Sequence, residues 1–435
     1  VLDTVSNRRG KTQIIYAALI LAILSISLSG YMLYRTSSEL TKTYNKLTDL
    51  SNKLDSLNKT QDYQKILQSI EKINNSLNNV ASVDDLINIT EQINLLKASL
   101  NESQTNLLNR LNKLEEKIRK LEERILFPVT VTDGSGDKII IQSRPMRIVS
   151  LAPSVTEILY YVNATDRLVG VDSYSNYPEW VADARANGTL VDVGGFFNPS
   201  VEAILSANPD LVIGVDGVTA HQQVKQILKA YGIPVILLPQ KSLMDIKESL
   251  LIVGSATGNI DEAVKAAMSF ESSLAKIKYA GYATTPKVAI IVWLNPIWIA
   301  GNSTFQSEAI FWAGGVNVFE NYTGWTTISP EELVQAAPDI IVGVGVNSTS
   351  IVEFLTQQLG DAAQQIPAIA NNRVFCIGYP YSDMLSRPSP RIIDGIVALQ
   401  LVIHPEIYGY NYTTLPVCIN STSFPTLPSI PLASP

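Results

Sequence analysis

The spacing of apolar and polar positions changes character three times along this chain of 435 residues. Thr12 to Tyr34 reads TQIIYAALILAILSISLSGYMLY, 23 residues without a charge. As a helix rising about 1.5 Å per residue, this run reaches about 35 Å, enough to cross the hydrocarbon of a bilayer. Arg8, Arg9 and Lys11 precede it. Cations concentrate on the cytoplasmic side of such spans. Residues 1–11 are therefore expected inside, 12–34 in the membrane, and everything after Arg35 outside. Two other readings stand beside this one: a cleaved signal peptide with Ser29 and Gly30 near the cut, or processing after Arg8–Gly10.

From 36 to 126 the pattern is polar and helical, with no proline or glycine. Ile66, Ile70, Ile73, Leu77 and Val80 alternate in steps of four and three, as do Leu107, Leu111, Leu114, Ile118, Leu121 and Ile125. That spacing predicts the seam of a coiled coil, with Lys113, Glu115, Glu116, Lys117, Arg119 and Lys120 on the solvated faces. Ser82 and Asp85 suit the start of a fresh helix, so either one long rod or two shorter helices serve. The seam asks for partner helices, from sister chains or from the chain folding back. This segment is expected to be a stalk or an oligomerisation device.

Beyond 126 the pattern becomes that of α/β layers. FPVTVTDGSGDKIIIQS predicts a hairpin around Gly134 and Gly136. RIVSLA, LVGVD, DLVIGV, PVILLP, KVAIIVWL, DIIVGVG and RVFCIG then alternate with amphipathic stretches, the signature of sheets with parallel strands. Ser154 with Glu157 three residues on reads as a capping box opening a helix. SVEAILSANPDLVIGV from Ser200 returns as SPEELVQAAPDIIVGV from Ser329, a short helix feeding a strand through Pro-Asp. The repeat implies two lobes of similar build. Ala263, Val264, Ala267, Phe270, Leu274 and Ile277 mark one long helix between them. The expected organisation is lobe 1 with its hairpin over 127–258, a linking helix over 259–281, lobe 2 over 282–407, and a Pro/Ser/Thr-rich tail over 408–435. The tail is expected to lie extended over the domain or in solvent and to bury no core. Two lobes bridged by a helix leave a cleft, where ligands bind in such architectures.

The charge of −7 and pI near 5.1 advertise no basic face for nucleic acid. His221 and His404 are too few for a histidine-built metal site, and no Gly-X-Ser-X-Gly, His-Glu-X-X-His or phosphate loop is present. Neither a cofactor nor catalysis is expected. Cys376 and Cys418 either join in one disulfide, stapling the tail, or stay as two buried thiols. Sequons at Asn58, Asn74, Asn88, Asn101, Asn163, Asn187, Asn302, Asn321, Asn347, Asn411 and Asn420 all follow the apolar span; several would arise by chance in an Asn- and Thr-rich chain, but their spread fits a glycosylated exterior.

RIVSLAPSVTEILYYVNATDRLVGVD, VGGFFNPSVEAILSANPDLVIG, GNSTFQSEAIFWAGGVNVF and GWTTISPEELVQAAPDIIV occur in that order between Phe127 and His404. In them the chain resembles the ABC-importer substrate-binding proteins built as two lobes on a rigid helix, most of all the cobalamin-binding branch, with siderophore and haem binders close by. The resemblance implies two Rossmann-like α/β lobes and a small closure about the helix. It also implies a ligand-lining set: Tyr174, Tyr177, Phe196, Phe197, Trp298 and Trp325 as aromatic plates, and Asp216, Asp383 and Arg387 at the ligand rim. Trp325 leads these, because its Gly-Trp pair opens the second repeat; Trp293 and Trp312 are expected in the core. Glu202 and Glu331, matched in the two repeats, correspond to the glutamates that meet permease arginines in the family, with Glu332 adjacent. Helix-dipole stabilisation is their plainer role. Ser175-Asn176 stands where many cobalamin binders carry Cys-Asp.

The expected function is a cell-surface receptor that hands a corrinoid to an ABC permease and its ATPase, in an archaeal or similarly single-membraned cell. A siderophore or haem receptor of the same fold is one alternative. The other is a structural surface assembly protein with a repurposed binding module.

Overall fold

In the computed structural model, which describes residues 126–278 and 284–428, each apolar run after Arg147 becomes a strand. One compact unit takes in Thr130–Ile141 and the chain from Pro145 onward. The expected anchor (12–34), the stalk (36 to 125), and the sequons at Asn58, Asn74, Asn88 and Asn101 lie outside the described residues. Among the described residues no helix is long and apolar enough to cross a membrane.

A hairpin of β1 (Val129–Thr132) and β2 (Lys138–Ile141) precedes lobe 1. Lobe 1 runs β3 (Ile148–Ser150), α1 (Pro153–Tyr161), β4 (Leu168–Val171), α2 (Trp180–Ala186), β5 (Val191–Asp192), a small β6–β7 ribbon (Gly194–Gly195, Asn198–Pro199), α3 (Val201–Ser206), β8 (Leu211–Val215), α4 (Thr219–Lys229) and β9 (Val235–Leu238). Its sheet, in the order β5-β4-β3-β8-β9, is parallel throughout. Helices cover such a sheet on both faces, so β8 and β9 are buried along their whole length.

α5 (Leu243–Thr257) and α6 (Ile260–Lys278) link the lobes. Gly254 lets the pair close up, since a Cβ there would fall 2.2 Å from that of Ala263. Of the expected stripe on α6, Ala263, Ala267, Phe270, Leu274 and Ile277 are buried, while Val264 is exposed.

Lobe 2 comprises β10 (Lys287–Trp293), β11 (Ile297–Ala300), α7 (Phe305–Trp312), β12 (Val316–Asn317), β13 (Trp325–Ile328), α8 (Pro330–Ala336), β14 (Ile340–Val344), α9 (Ser348–Leu359), α10 (Pro367–Ala370), β15 (Val374–Ile377), α11 (Tyr381–Ser386), α12 (Ile392–Ile403) and β16 (Cys418–Ile419). Its sheet is mixed rather than parallel. β12, β10, β14, β15 and β16 run together, but β11 returns antiparallel on β10 and β13 antiparallel on β11. The turn at Leu294–Pro296 is short enough for a hairpin, whereas a parallel crossover needs a dozen residues or more.

The tail departs from expectation. β16 adds a parallel strand to β15, Cys418 is joined to Cys376 by a disulfide, and Leu415, Ile419 and Phe424 are buried in the lobe 2 core. The tail's apolar residues pack into the same core as those of α12.

The repeat holds in three dimensions. Ser200 and Ser329 cap α3 and α8, accepting the N–H of Ala203 and of Glu332, each at 3.2 Å. The Pro-Asp aspartates then secure the first strand of each lobe. Asp210 accepts the N–H of Met146 (2.7 Å) and Arg147 (2.9 Å), and Asp339 that of Lys287 (2.9 Å).

Candidate ligand-binding site

Parallel α/β sheets bind ligands beyond the carboxyl ends of their strands. In lobe 1 that edge carries the loops after β4, β5 and β8. The β4 loop is held by a buried hydroxyl relay. Thr156 Oγ1 lies 2.8 Å from both Ser150 Oγ and Ser175 Oγ, and Ser175 donates a short hydrogen bond to the Asp172 carboxylate, which also accepts the Tyr174 N–H at 3.0 Å. Burial pushes the Asp172 carboxyl above its usual range, against the Ser175 and Tyr174 bonds and the Arg387 charge. With its base fixed in this way, the loop presents Tyr174 at 62% exposure. Gly195 sits beneath that ring, its ideal Cβ position 3.4 Å from Tyr174 Cε2, so the β4 and β5 loops are neighbours. Phe197 stands out at 78% exposure, edge-on to Phe196 at 4.7 Å; Phe196 packs edge-on to buried His221 at 5.2 Å. Asp216 follows β8, half-buried, with its backbone carbonyl accepting from the Gln240 amide at 2.8 Å.

In lobe 2, α11 and the residues after it supply Asp383 and Arg387, an ion pair at 2.7 Å. Gly395 of α12 admits α11 closely, a Cβ there falling 2.8 Å from Leu385 N. The Asn176 side chain bridges the lobes, donating to Asp383 (2.9 Å) and accepting from Arg387 (2.6 Å). The departure at Ser175-Asn176 thus has structural work: one residue braces the loop, the other spans the lobes.

Glu157 was missed by local reading. The helix begins at Pro153 with Ala152 as N-cap, so the Ser154–Glu157 capping box does not form. Glu157 is instead buried and held from lobe 2. It accepts from Arg387 Nη1 at 3.0 Å, from Arg391 Nη1 at 2.8 Å and from the Ser389 hydroxyl. Arg391 also lies over the Tyr177 ring, 3.9 Å from its centroid, and Tyr160 meets that ring edge-on at 5.3 Å. Tyr177 is therefore half-buried in packing. A carboxylate inside a largely apolar helix is the signal that could have found this cluster, because an unpaired buried charge is not tolerated.

Trp325 is half-buried against the lobe 2 core and donates its Nε1 proton to Gln306 at 2.6 Å; Gln306 in turn donates to the Leu385 carbonyl at 3.2 Å. The leading candidate is thereby tied to α11. Trp298 pairs with Thr327 across β11–β13, and its neighbour Ala300 with Trp325, so the two tryptophans share a sheet face. Trp293 is not a core residue: it is 62% exposed. An irregularity in β10 between Ile291 and Trp293 sets it opposite Trp298, turning it from the face that Ile291 buries. Trp312 packs partly buried on the lobe 2 core.

Glu202 and Glu331 are both exposed in the first turns of α3 and α8. Glu332 differs, accepting the Ser329 N–H at 2.7 Å and the Tyr322 hydroxyl at 2.6 Å in a capping box. Asn163, Asn187, Asn302, Asn321, Asn347 and Asn411 are exposed and Asn420 is half-buried. Burial holds His221 down to about 4, and His404 is buried against the Gly314 carbonyl at 3.1 Å. Among the described residues no group of three or more His, Cys, Asp or Glu could hold a metal ion.

A family model described as periplasmic binding protein matches residues 148–380. An uncharacterized ABC transporter substrate-binding lipoprotein of Bacillus subtilis is 29% identical over 290 residues, covering 65% of this chain and 88% of its own length. A vitamin B12-binding protein of Vibrio parahaemolyticus is 29% identical over 257 residues, covering 58% and 86%. Among solved structures, a periplasmic heme-binding protein of Roseiflexus sp. RS-1 superposes with a TM-score of 0.52 at 25% identity, over 60% of this chain and 99% of its own. The periplasmic vitamin B12 binding protein of Vibrio cholerae, at 24% identity and a TM-score of 0.51 over 61% and 99%, shares the fold.

Proposed function

The chain belongs to the periplasmic binding protein family, and from that premise we propose that it is a surface receptor that captures a corrinoid and delivers it to an ABC permease. Its relatives are substrate-binding proteins, which fits a binding role rather than catalysis. One observation carries the corrinoid reading. The aromatic side chains Tyr174, Phe197 and Trp298 are exposed, while Asp383 and Arg387, the latter next to the Tyr174 carbonyl, are paired with each other. Such a face suits a broad, apolar, amide-rimmed ligand better than a strongly charged one. Asn176 and Asp216 supply polar groups for its rim. The heme-binding solved relative supports haem as the competing cargo.

Glu202 and Glu331 would dock the loaded receptor on permease cations, one per lobe. The span at 12–34 would anchor the chain with its N-terminus inside. The stalk would lift the lobes from the membrane and assemble sister chains, and glycans on the exposed sequons would coat the exterior.

The test is titration of the full chain with cyanocobalamin, cobinamide, haem and a ferric hydroxamate, read by tryptophan fluorescence. Corrinoid binding that weakens roughly thirtyfold in Trp325→Ala, as loss of a tryptophan anchor would give, is the expected result. Binding of haem or siderophore alone changes the cargo. Binding of none removes the receptor reading.

A further inference from the structure

Glu157 reaches no ligand, because it is fully buried on α1. Both its oxygens are engaged from the opposite lobe: Oε1 by Arg387 (3.0 Å) and Arg391 (2.8 Å), Oε2 by Ser389. Arg387 pairs in turn with Asp383 at 2.7 Å. The two arginines are thus balanced by the two carboxylates they bond directly, Glu157 and Asp383. Asp172, which feels Arg387, and Asp394, which feels Arg391, are further carboxyls of this surrounding, and burial pushes both above their usual range, toward the neutral form. The cluster adjoins the ligand-lining set directly. Arg387 holds Asn176 and lies 3.5 Å from the Tyr174 carbonyl oxygen, and Arg391 lies over Tyr177. Charges so enclosed are poorly screened by solvent and salt, so removing one is felt at the adjoining surface.

We propose that Glu157 is a specificity-determining positioning residue. Its negative charge, lent from lobe 1, cancels that of the lobe 2 arginines, so that the binding face rejects anionic ligands in favour of neutral ones. This rests on the cargo reading above and deepens it. Without the Glu157 charge, the surroundings of the same arginines become one unit more positive beside the ligand, and a carboxylate-bearing ligand would gain a partner.

The full chain is titrated with cyanocobalamin, haem and haem dimethyl ester, the last two differing in the carboxylate charges. In Glu157→Gln, which keeps the side-chain shape, the preference for haem over its ester and over cyanocobalamin is expected to rise about tenfold, the worth of one charge contact. Arg391→Gln makes the cluster one unit more negative than in the wild-type chain and should shift the preference the other way. Glu157→Gln combined with Arg391→Gln restores the wild-type net charge and should restore the wild-type ratio. A merely structural Glu157 would weaken all three ligands together, and the double variant would be worse still; that outcome overturns the proposal, as does an unchanged ratio. Should Glu157→Gln fail to fold, the direction of the Arg391→Gln shift decides. Wild-type chain that prefers haem to cyanocobalamin overturns the cargo reading alone, since haem against its ester still reports charge discrimination. Wild-type chain that binds none of the three overturns both.

Discussion

Asn208 and Ala337 occupy the same place in the two repeats, eight residues after the capping serine, and both turn the chain through left-handed backbone, at φ 47° and 45°. The turn ends the helix and aims Pro-Asp at the neighbouring strand. Asparagine tolerates this region; alanine, with its Cβ against the following carbonyl, does not. Ala337→Gly should therefore raise stability by about 1 kcal/mol, even after the entropy of the freer unfolded chain. Chemical denaturation checks it, and an unchanged or lower midpoint would show that the turn carries no strain.

Asp133 governs part of the acid limb of stability. Burial pushes its carboxyl up, but the Lys225 ammonium at 2.6 Å, the Ser135 hydroxyl and the Leu237 N–H outweigh burial and hold it below the ordinary value. A carboxyl depressed in the folded state contributes stability above its unfolded value of about 3.9, and that stability fades as pH falls through the folded value. Asp133→Asn should lower the melting temperature at neutral pH and flatten its fall below about pH 4. Parallel melting curves for the two proteins between neutral and acid pH would disprove this.

The adjacent glutamates of α8 should separate cleanly. Glu332→Ala removes the capping box and the Tyr322 bond, so the melting temperature should fall while docking survives. Glu331→Ala, exposed and outside the cap, should leave the melting temperature alone and slow ligand delivery to the permease in reconstituted vesicles. The reverse pattern would exchange their roles.

Reduction of Cys376–Cys418 frees a loop closed over a separation of 42 residues. Chain entropy assigns such a crosslink roughly 4 kcal/mol. The strand pairing of β16 and the burial of Ile419 and Phe424 should loosen with it. Thermal melts with and without a reductant should differ by several degrees, and identical melts would mean that the tail is held by packing alone.

Trp293→Ser should change stability by less than about 0.5 kcal/mol, as for other exposed positions. Ile291→Ala, two residues earlier and fully buried, should cost about 2–5 kcal/mol. Equal costs would place Trp293 in the core after all.

What the chain alone determined about this protein is what is local. Serine caps, Pro-Asp turns, β-branched runs and the amphipathic linking helix act through neighbours a few residues away, so both lobes, their order and the equivalence of Ser200 with Ser329 were legible in the sequence. The same alignment matches Glu331 with Glu202, and left the register between Glu331 and its neighbour Glu332 open. The tertiary structure decided what depends on distant partners. Glu157 had the right spacing from Ser154 for a cap, but Pro153 begins that helix, and the carboxylate's partners lie some 230 positions further along the chain. Trp293 followed an apolar run and looked buried until a single strand irregularity turned it outward. The proline-rich composition of the tail predicts no buried core, yet it adds β16 to the edge of the lobe 2 sheet, with a disulfide and three buried apolar side chains. No local spacing encodes such pairings, because their energy comes from burial that exists only once the lobes are assembled.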